Sequence, residues 1–380
     1  MEEKMSYAVG PSEPAVRDIT IGQALAEVAR AFPDRTALVA GVPDPAGRRQ
    51  WTYRELYDDA ITVARALRSR FEPGERVAVW APNIPEWVLM EYGCALAGVI
   101  LVTVNPSFQS DEVAYVLKQS RSAGIFLLPE FRGNRMLHHV EAVQGDCPEL
   151  RHVIRFDQWP SFMASGSDVS IGLPDVGPDD ACMIQYTSGT TGFPKGALLH
   201  HRGLVNNGAH TADRMGVGDG GTYMGYMPLF HTAGCVLAVL GALGKRSTLV
   251  LAEVFEPGLI LELMETYRAK AMMGVPTMLI AMLEHPDFTR RDLSAVEAVC
   301  SGGATVPAEL VRRLEESLQA PFTIVFGQTE CSPVASMTRA SDSLEDKALT
   351  LGGPMPNVEV KIVDPESGEI LPVDTLGEYC

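Results

Sequence analysis

The 380-residue sequence has no long hydrophobic run and comparatively little positive charge. No stretch reaches the roughly 18 consecutive apolar residues that a membrane-spanning helix requires. The acidic start, Met1–Met5, lacks the apolar segment of a secretory signal. Lys and Arg number 31 against 48 Asp and Glu, which gives a formal net charge of −17. These absences argue against a membrane span, a secretory signal and binding to nucleic acid or an anionic membrane, and they favour a cytoplasmic protein.

Cysteine and histidine are present, but their spacing does not indicate a metal site. The seven cysteines include no C-x-x-C pair and their number is odd. Several, such as Cys235 and Cys300, lie in apolar runs, so we expect buried, reduced thiols. The histidines include the adjacent pairs His138–His139 and His200–His201, and adjacent residues cannot face one site on a helix.

Strand-like and helix-like segments alternate along the chain, which is typical of an α/β protein with largely parallel sheets. Arg76–Trp80 and Val99–Val104 are short apolar runs of the kind that form buried strands, and Pro85–Ala97 between them predicts a helix. Thr52 is expected to cap a helix that reaches about Phe71, because Glu55 stands at the capping-box position three residues later.

The later part of the chain continues the alternation of strand-like and helix-like segments and then changes to short β-strand patterns. Residues 157–180 are rich in Gly, Ser, Pro and Asp and predict an exposed connection. Ala181–Tyr186 then predicts a buried strand, and Cys235–Leu243 an apolar helix. Near the C-terminal end, Val358–Val363 and Glu369–Leu371 predict short strands of a β-rich unit.

One segment directly after a predicted buried strand carries most of the chemistry. Residues 187–196 are Thr-Ser-Gly-Thr-Thr-Gly-Phe-Pro-Lys-Gly. The glycines let backbone N–H groups approach a phosphate, the hydroxyls add donors and Lys195 adds a positive charge, which together favour an anion-binding nest. Pro194 precedes Lys195 where the G-x-x-x-x-G-K-[ST] loop requires Gly, so this is not that loop. A solvated linker is the alternative, but a linker needs no buried strand before it.

This segment resembles the signature loop of the adenylate-forming superfamily, which includes acyl- and aryl-CoA synthetases, peptide-synthetase adenylation domains and beetle luciferases. Other segments resemble the family's remaining motifs in the expected order, and together they cover essentially the whole chain. They are WTYREL at 51–56, LAGV at 96–99, VNP at 104–106, PLFH at 228–231, SGGA at 301–304, FGQTE at 326–330 and GGPMP at 352–356.

The resemblance implies roles for individual residues. The ATP phosphates would be held by Thr187, Ser188, Gly189, Thr190, Thr191, Gly192 and Lys195. The adenine slot and one wall of the acyl pocket would be formed by Gly302, Gly303, Ala304, Phe326, Gly327 and Gln328. Thr329 would contact the α-phosphate, and Glu330 would help to hold Mg²⁺, which prefers oxygen ligands. His231 would gate the acyl tunnel or lie against the carboxylate. The alternative for His231 is that it packs under Phe230 at the edge of the core. The alternative for Glu330 is that it is a surface carboxylate.

The implied reaction is the ATP-dependent activation of a carboxylic acid. The carboxylate attacks the α-phosphorus and displaces pyrophosphate, and the thiol of CoA then attacks the acyl-adenylate. Charge accumulates on phosphoryl oxygens in the transition state. Positioning of the reactants and stabilisation of this charge by cations therefore account for most of the catalysis. The expected partners are ATP, Mg²⁺, CoA and a small carboxylic acid, and a homodimer is left open.

The region after the PLFH motif bears on the kind of acid. Residues 230–235 contain no carboxylate, and a buried ammonium without a counter-charge is costly, so an amino acid is disfavoured. Small and aliphatic side chains at 235–243 suit a medium or long acyl chain or another bulky apolar acid, and an aryl acid stays open. Only about twenty residues separate Glu330 from Gly352, so the insertion of fatty acyl-AMP ligases is not evident and CoA is the favoured acceptor.

Two other functions stay open at this point. One is a member of the same superfamily with a different second step, such as a luciferase-like oxygenase or a carrier-protein loader. The other is a non-catalytic protein that binds a nucleotide or an acyl-adenylate. Acceptor assays separate the first from a CoA ligase, and the source gene beyond Cys380 bears on the second.

We expect two αβαβα-type subdomains, at 15–195 and 196–340, with the start of a small β-barrel at 341–380. The resemblance implies that the family continues with the rest of the barrel, a ribose-binding Asp, a hinge residue and a small C-terminal domain with a catalytic Lys, none of which can be assigned here. The sequence ends in a motif at 377–380 that resembles Gly-Glu-Leu-Cys, where an open strand edge would be left. We therefore expect a shortened chain that binds ATP and acid weakly and is nearly inactive alone.

Overall fold

The computed structural model of the protein describes residues 4–187 and 194–380. Over these residues the strands, in chain order, are β1 (Tyr7–Val9), β2 (Thr36–Ala40), β3 (Gln50–Thr52), β4 (Arg76–Trp80), β5 (Ile100–Val104), β6 (Ser122–Leu127), β7 (His152–Arg155), β8 (Ala181–Thr187), β9 (Lys195–His200), β10 (Thr222–Gly225), β11 (Thr248–Leu251), β12 (Ala271–Met273), β13 (Ala298–Gly302), β14 (Phe322–Gly327), β15 (Val334–Met337), β16 (Gly353–Pro354), β17 (Glu359–Val363) and β18 (Glu378–Tyr379).

The α-helices of the same residues cover both sheets. They are α1 (Ile21–Ala31), α2 (Tyr53–Arg68), α3 (Pro85–Ala97), α4 (Ser110–Ser120), α5 (Met136–Val143), α6 (Trp159–Ala164), α7 (His201–Met215), α8 (Gly241–Gly244), α9 (Pro257–Thr266), α10 (Pro276–Leu283), α11 (Ala308–Leu318) and α12 (Leu344–Leu349). A π-helix, Ala233–Leu240, precedes α8, and a 3₁₀ turn, Thr329–Cys331, follows β14. The predicted capping box at the start of α2 is confirmed, since Thr52 and Glu55 bond each other's backbone N–H groups.

Two mainly parallel sheets form the body of the protein. The smaller has the strand order β7-β6-β4-β5-β8-β9, and the larger has the order β16-β15-β14-β13-β12-β10-β11-β2-β3. Antiparallel pairing occurs at their edges, for example between β8 and β9 and between β14 and β15. The predicted α/β class with mostly parallel sheets is therefore confirmed.

Buried side chains from both sheets and their helices form one continuous core. It runs from Leu25 in α1 through Trp87 in α3 and Val236 in the π-helix to Phe322 in β14. A second cluster fills the other face of the small sheet, where α4 and α5 cover Trp80 and neighbouring strand residues. Because one core spans both sheets, their edges are held in a fixed relation to each other.

The sheets do not divide the chain at residue 195. Strands β2 and β3 come from the first predicted subdomain, yet they pair within the large sheet, and β9 lies after the predicted boundary but pairs with β8 in the small sheet. The predicted division into folding units stays a prediction. A third sheet joins β1, β17 and β18, so residues before 15 take part in the β-rich unit near the C-terminal end.

Several local predictions need correction. The stretch 157–180 is not wholly an exposed connection, because α6 places Trp159 and Phe162 in the core. The segment Glu369–Leu371 makes only an isolated bridge, between Ile370 and Val363, rather than a strand. The expected buried thiols are found at five cysteines, but Cys331 and Cys380 are exposed; all seven are free. Among the described residues, no helix is long and apolar enough to cross a membrane.

Candidate active site

The carboxyl ends of strands from both sheets face each other where Asn83 lies, and this meeting place is called the crevice below. Asn83, just after β4 in the small sheet, is buried and reaches the segment after β10 in the large sheet. Its amide donates hydrogen bonds to the carbonyls of Met227, at 3.0 Å, and Ala252, at 3.2 Å. Its carbonyl oxygen accepts the N–H of Leu229 at 2.9 Å. These bonds tie the backbone that leads to His231 to the facing edge of the small sheet.

The strand order of the large sheet also points to this edge. From β10 the chain first adds β11 on one side and then returns to add β12, β13 and β14 on the other side. Ligands of open α/β sheets bind outside the carboxyl ends of the strands, where the strand order reverses. The segments that leave this edge contain His231 after β10, Gly303 after β13 and Thr329 after β14. The topology therefore gathers three of the predicted motifs.

The two ends of the predicted phosphate loop are held as the base of a hairpin. Thr187 ends β8 and pairs with Lys195, which begins β9. The phenol of Tyr115 donates to the carbonyl of Pro194 at 2.9 Å, and Tyr186 is hydrogen-bonded to Gln119. Lys195 is exposed and Thr187 is half-buried. The remaining predicted loop residues lie outside the described residues: Ser188, Gly189, Thr190, Thr191 and Gly192.

The 3₁₀ turn after β14 lies against the strand that begins at Lys195. Strand β9 packs on the turn Thr329–Cys331. Asn207 of α7 holds the chain just beyond this turn, because its amide donates to the carbonyl of Val334 at 2.8 Å and its oxygen accepts the N–H of Val334 at 3.0 Å. Thr329 is half-buried and Glu330 is exposed. The structure therefore brings Thr329 and Glu330 beside the strand that starts at Lys195.

The predicted adenine-side segments adopt backbone paths that favour glycine. A Cβ on Gly302 would lie 2.5 Å from the carbonyl oxygen of Val325, and Gly303 has a φ of +75°. A Cβ on Gly327 would lie 1.9 Å from the carbonyl oxygen of Pro333. Next to these close approaches, Gly303, Ala304 and Gln328 are exposed, so their backbone is accessible to a ligand.

Phe326 precedes this second glycine segment and has a defined aromatic neighbour. Its ring is half-buried and meets the ring of Tyr379 edge-on, with 5.0 Å between the ring centroids. Edge-to-face contacts of this kind hold aromatic rings in one orientation. Phe326 can thus present a fixed apolar wall beside the exposed glycines.

His231 lies in an accessible recess, and a hydrogen bond fixes its tautomer. Its Nδ1 accepts the backbone N–H of Ala233 at 3.1 Å, so in the neutral ring the proton is on Nε2. More than a third of its surface is exposed, yet the surrounding protein desolvates the ring and lowers the pKa of His231 below its ordinary value. A neutral ring with a free Nε2–H can donate to a carboxylate or a phosphoryl oxygen.

The turn at His231 is linked to the strand that enters the phosphate loop. The thiol of Cys235 lies 3.5 Å from the carbonyl oxygen of His231. The amide of Gln185, two residues before the end of β8, donates to the same sulfur at 2.9 Å. The helix predicted from Cys235 to Leu243 is confirmed, and it consists of the π-helix followed by α8. π-Helices are rare and occur frequently at functional sites.

Three positioning residues could not be identified from the sequence. Asn83 and Asn207 hold the chain beside the site through their amides, and Gln185 reaches Cys235 from β8. The only sequence signal for Asn83 is its place between two prolines directly after a strand. Among residues 4–187 and 194–380, no group of three or more His, Cys, Asp or Glu side chains is placed to hold a metal ion. A cation here would take one carboxylate, such as Glu330, together with oxygens of the substrate.

Comparison with known proteins agrees with this geometry. The family of AMP-binding enzymes matches residues 25–380. YngI of Bacillus subtilis (strain 168), which carries a provisional acyl-CoA synthetase name, is 33% identical over 95% of this chain and 70% of its own length. The mitochondrial medium-chain acyl-CoA ligase ACSF2 of Danio rerio is 32% identical over 99% of this chain and 67% of its own length. The chain thus spans about two thirds of the length of these relatives.

A solved structure supports the fold separately. The long-chain-fatty-acid-CoA ligase FadD1 of Archaeoglobus fulgidus superposes with a TM-score of 0.86 and covers 99% of this chain and 77% of its own, at 24% identity. At that identity the likeness establishes the fold alone. Fold, site topology and relatives together define the class, a ligase fold of the adenylate-forming type. The chain belongs to the AMP-binding enzyme family, and its predicted membership of the adenylate-forming superfamily is confirmed.

Proposed function

We propose that this protein activates a carboxylic acid with ATP to an acyl-adenylate and then forms a thioester with CoA. The observation that carries the proposal is the meeting of three elements at one crevice. Strand β9, which begins at Lys195, packs on the Thr329 turn, and Gln185 near the end of β8 donates to Cys235 in the π-helix that follows His231. Relatives that match nearly the whole chain are named acyl-CoA ligases, which supports the same reaction class.

The arrangement supports distinct roles for the residues at the crevice. Lys195 and Thr187 would contact the phosphates from the ends of the loop, and Thr329 would contact the α-phosphate. Glu330, exposed beside them, fits Mg²⁺ because this ion is commonly held by one or two carboxylates together with substrate phosphates. When bound, the ion would offset charge on the phosphoryl oxygens.

The adenine and the acid would lie on either side of these phosphates. Gly302, Gly303 and Ala304, with Phe326 to Gln328, offer exposed backbone and one aromatic wall for the base. His231, neutral with Nε2–H free, would donate to the substrate carboxylate or to the adenylate carbonyl. Small and aliphatic side chains of the π-helix suit an acid with a largely apolar chain, of medium or long length or aromatic. A cytoplasmic location and a homodimer also stay proposals.

Isotope exchange between pyrophosphate and ATP tests the first half-reaction directly, and here and in the tests below it is measured on the product of the whole source gene. The exchange should require a carboxylic acid, and adding CoA should give an acyl thioester detectable by mass spectrometry. Lys195→Ala should lower the exchange about 100-fold, since the loss of one charge-stabilising group has an effect of that order. Lys361→Ala is the matched control, because Lys361 is exposed on β17 in the separate three-stranded sheet, and its exchange should be unchanged. Exchange only with amino acids, or transfer only to a carrier protein, would contradict the proposal.

A further inference from the structure

A buried carboxyl group without a partner lies in the core beneath the site. Glu91 of α3 is 2% exposed, and neither of its carboxyl oxygens has a hydrogen-bond partner within residues 4–187 and 194–380. Trp87, one turn earlier on the same helix, is fully buried and its Nε1–H also lacks an acceptor. Residues four apart share one face of a helix, so α3 presents two polar groups to the same side.

Unpartnered buried polar groups are unusual and unfavourable. Each loses its hydrogen bonds to water on burial and gains no replacement, which opposes folding. Such groups in folded proteins therefore call for an explanation, which can be a functional role or an ordered water or ion. Burial raises the pKa of Glu91 well above its ordinary value, which favours the neutral acid, a form with an O–H donor and a carbonyl acceptor.

A line of polar and sulfur-containing side chains connects this position to the His231 recess. Gln185 on β8 is 1% exposed, and among the described residues its amide donates only to sulfur, to Cys235 at 2.9 Å and to Met183 at 3.3 Å. Sulfur is a weak acceptor, so this amide is poorly satisfied. The thiol of Cys235 in turn contacts the carbonyl oxygen of His231.

Glu91 lies close to the inner end of this line. Helix α3 packs against the π-helix that contains Cys235. Burial first, and the nearby Glu91 second, raise the pKa of the thiols of Cys235 and Cys182 well above their ordinary values. Cys235 thus lies between His231 on one side and two interior groups on the other, Gln185 and, through the packing of α3, Glu91.

We propose that Glu91, Trp87 and Gln185 form the polar inner end of the acid pocket, and that the acid carries a hydroxyl or similar hydrogen-bonding group on its otherwise apolar chain. This inference rests on the proposed function and names its substrate class more closely. The acid would enter beside His231 with its chain along the π-helix. Met183, a flexible side chain between Gln185 and Cys235, would swing aside to admit it.

The chemistry of the three groups matches such a substituent. A substrate hydroxyl both donates and accepts, and it can bond the carbonyl of protonated Glu91 while it accepts from Trp87 or Gln185. An acid without that group would leave these buried donors and acceptors unpaired. Sites built to bond a substrate hydroxyl can discriminate by factors of about 10⁴ against the analogue that lacks it, and we expect a preference of at least about 100-fold.

The test measures kcat/KM for acid-dependent pyrophosphate exchange with a homologous series of straight-chain acids. Each acid is compared with its hydroxylated counterparts, which differ in the position of one hydroxyl. The wild-type protein should prefer one hydroxylated position. Glu91→Leu should abolish or reverse that preference, because an apolar side chain of similar volume favours the plain acid. Glu91→Gln, which still donates and accepts, should retain part of it.

Two controls separate this inference from folding and from the proposed function. Glu91→Leu removes an unpaired buried polar group, so its thermal midpoint should be equal to or above that of the wild type. Tyr223→Phe removes a buried, unpartnered hydroxyl of β10 and should leave the preference unchanged. Equal use of plain and hydroxylated acids, with Glu91→Leu altering stability alone, overturns the inference while the ligase function stands. If none of the acids supports exchange, the proposed function itself is contradicted.

Discussion

At the scale of single residues, the site depends on side chains that hold the backbone in place as well as on those that would contact the substrate. Asn83 bonds three backbone groups across the crevice and so sets the position of the chain before His231. Its side chain is 6% exposed, so few waters can replace these bonds when the amide is removed. A side chain of this kind affects affinity without touching a ligand.

Asn83→Ala should therefore weaken both folding and adenylate binding. We expect a loss of about 1–3 kcal/mol in the free energy of unfolding, since buried backbone groups lose their partner. Isothermal titration should show weaker binding of a hydrolysis-resistant acyl-adenylate analogue. Asn206→Ala is the matched control: Asn206 is also buried and also makes three backbone bonds, to Arg17 and Arg202, but outside the crevice. It should lose similar stability and keep its affinity, and equal affinities for both variants would contradict the role of Asn83.

At the scale of elements, the π-helix connects the His231 turn to the core. Its second residue, Gly234, packs directly on the preceding backbone, where an added Cβ would lie 2.2 Å from the carbonyl oxygen of Pro228. Gly241, just after the π-helix, has no such contact, and its nearest neighbour would be 3.5 Å from an added Cβ. Of the two glycines, Gly234 therefore packs tightly on the chain that leads to His231, and Gly241 does not.

Gly234→Ala should displace the His231 turn and lower kcat/KM for pyrophosphate exchange by an order of magnitude or more. Gly241→Ala should leave exchange unchanged and stabilise the helix by about 0.5–1 kcal/mol, because Ala has the higher helix propensity. Kinetics and denaturant unfolding of both variants check the pair. Full activity in Gly234→Ala would show that the close packing on Pro228 does not position the site.

Sequence patterns predict some of these elements better than others, for physical reasons. The capping box of Thr52 and Glu55 is a local interaction, so the start of α2 can be predicted. The strand Tyr7–Val9 has no local signal, because its partner Glu359–Val363 lies far along the chain. The π-helix has the same apolar composition as an α-helix, and packing alone distinguishes them. The unpaired state of Glu91 likewise depends on side chains that the tertiary fold brings around it.

At the scale of the whole molecule, neutral buried histidines make stability depend on pH. His201, at the start of α7, is 1% exposed and its Nδ1 accepts the N–H of Ile21 at 3.4 Å, which joins α7 to α1. Burial lowers the pKa of His201 to about 4, helped by His200 and opposed by Asp180. The unfolded chain therefore binds a proton at a higher pH than the folded protein does.

The free energy of unfolding should fall as the pH drops from 6.5 to about 4, by about 3 kcal/mol from His201 alone. This stability is fully present above pH 6.5 and is lost on acidification, because the folded-state pKa is the lower one. Burial also lowers the pKa of His210 and His231, which act in the same direction. His201→Asn keeps an acceptor for Ile21 and should flatten the pH profile measured by urea unfolding. An unchanged slope would contradict this assignment.

The most direct test of the central claim, that the facing sheet edges form the adenylate site, is hydrogen–deuterium exchange with a hydrolysis-resistant acyl-adenylate analogue. Protection should appear at residues 186–187, 194–196, 226–231, 302–304 and 326–330, which the proposed function assigns to the crevice. Residues 217–221 and 268–270 precede β10 and β12 at the opposite edge of the large sheet and should be unaffected. Protection at that opposite edge, or none at the crevice under saturating ligand, would contradict the account.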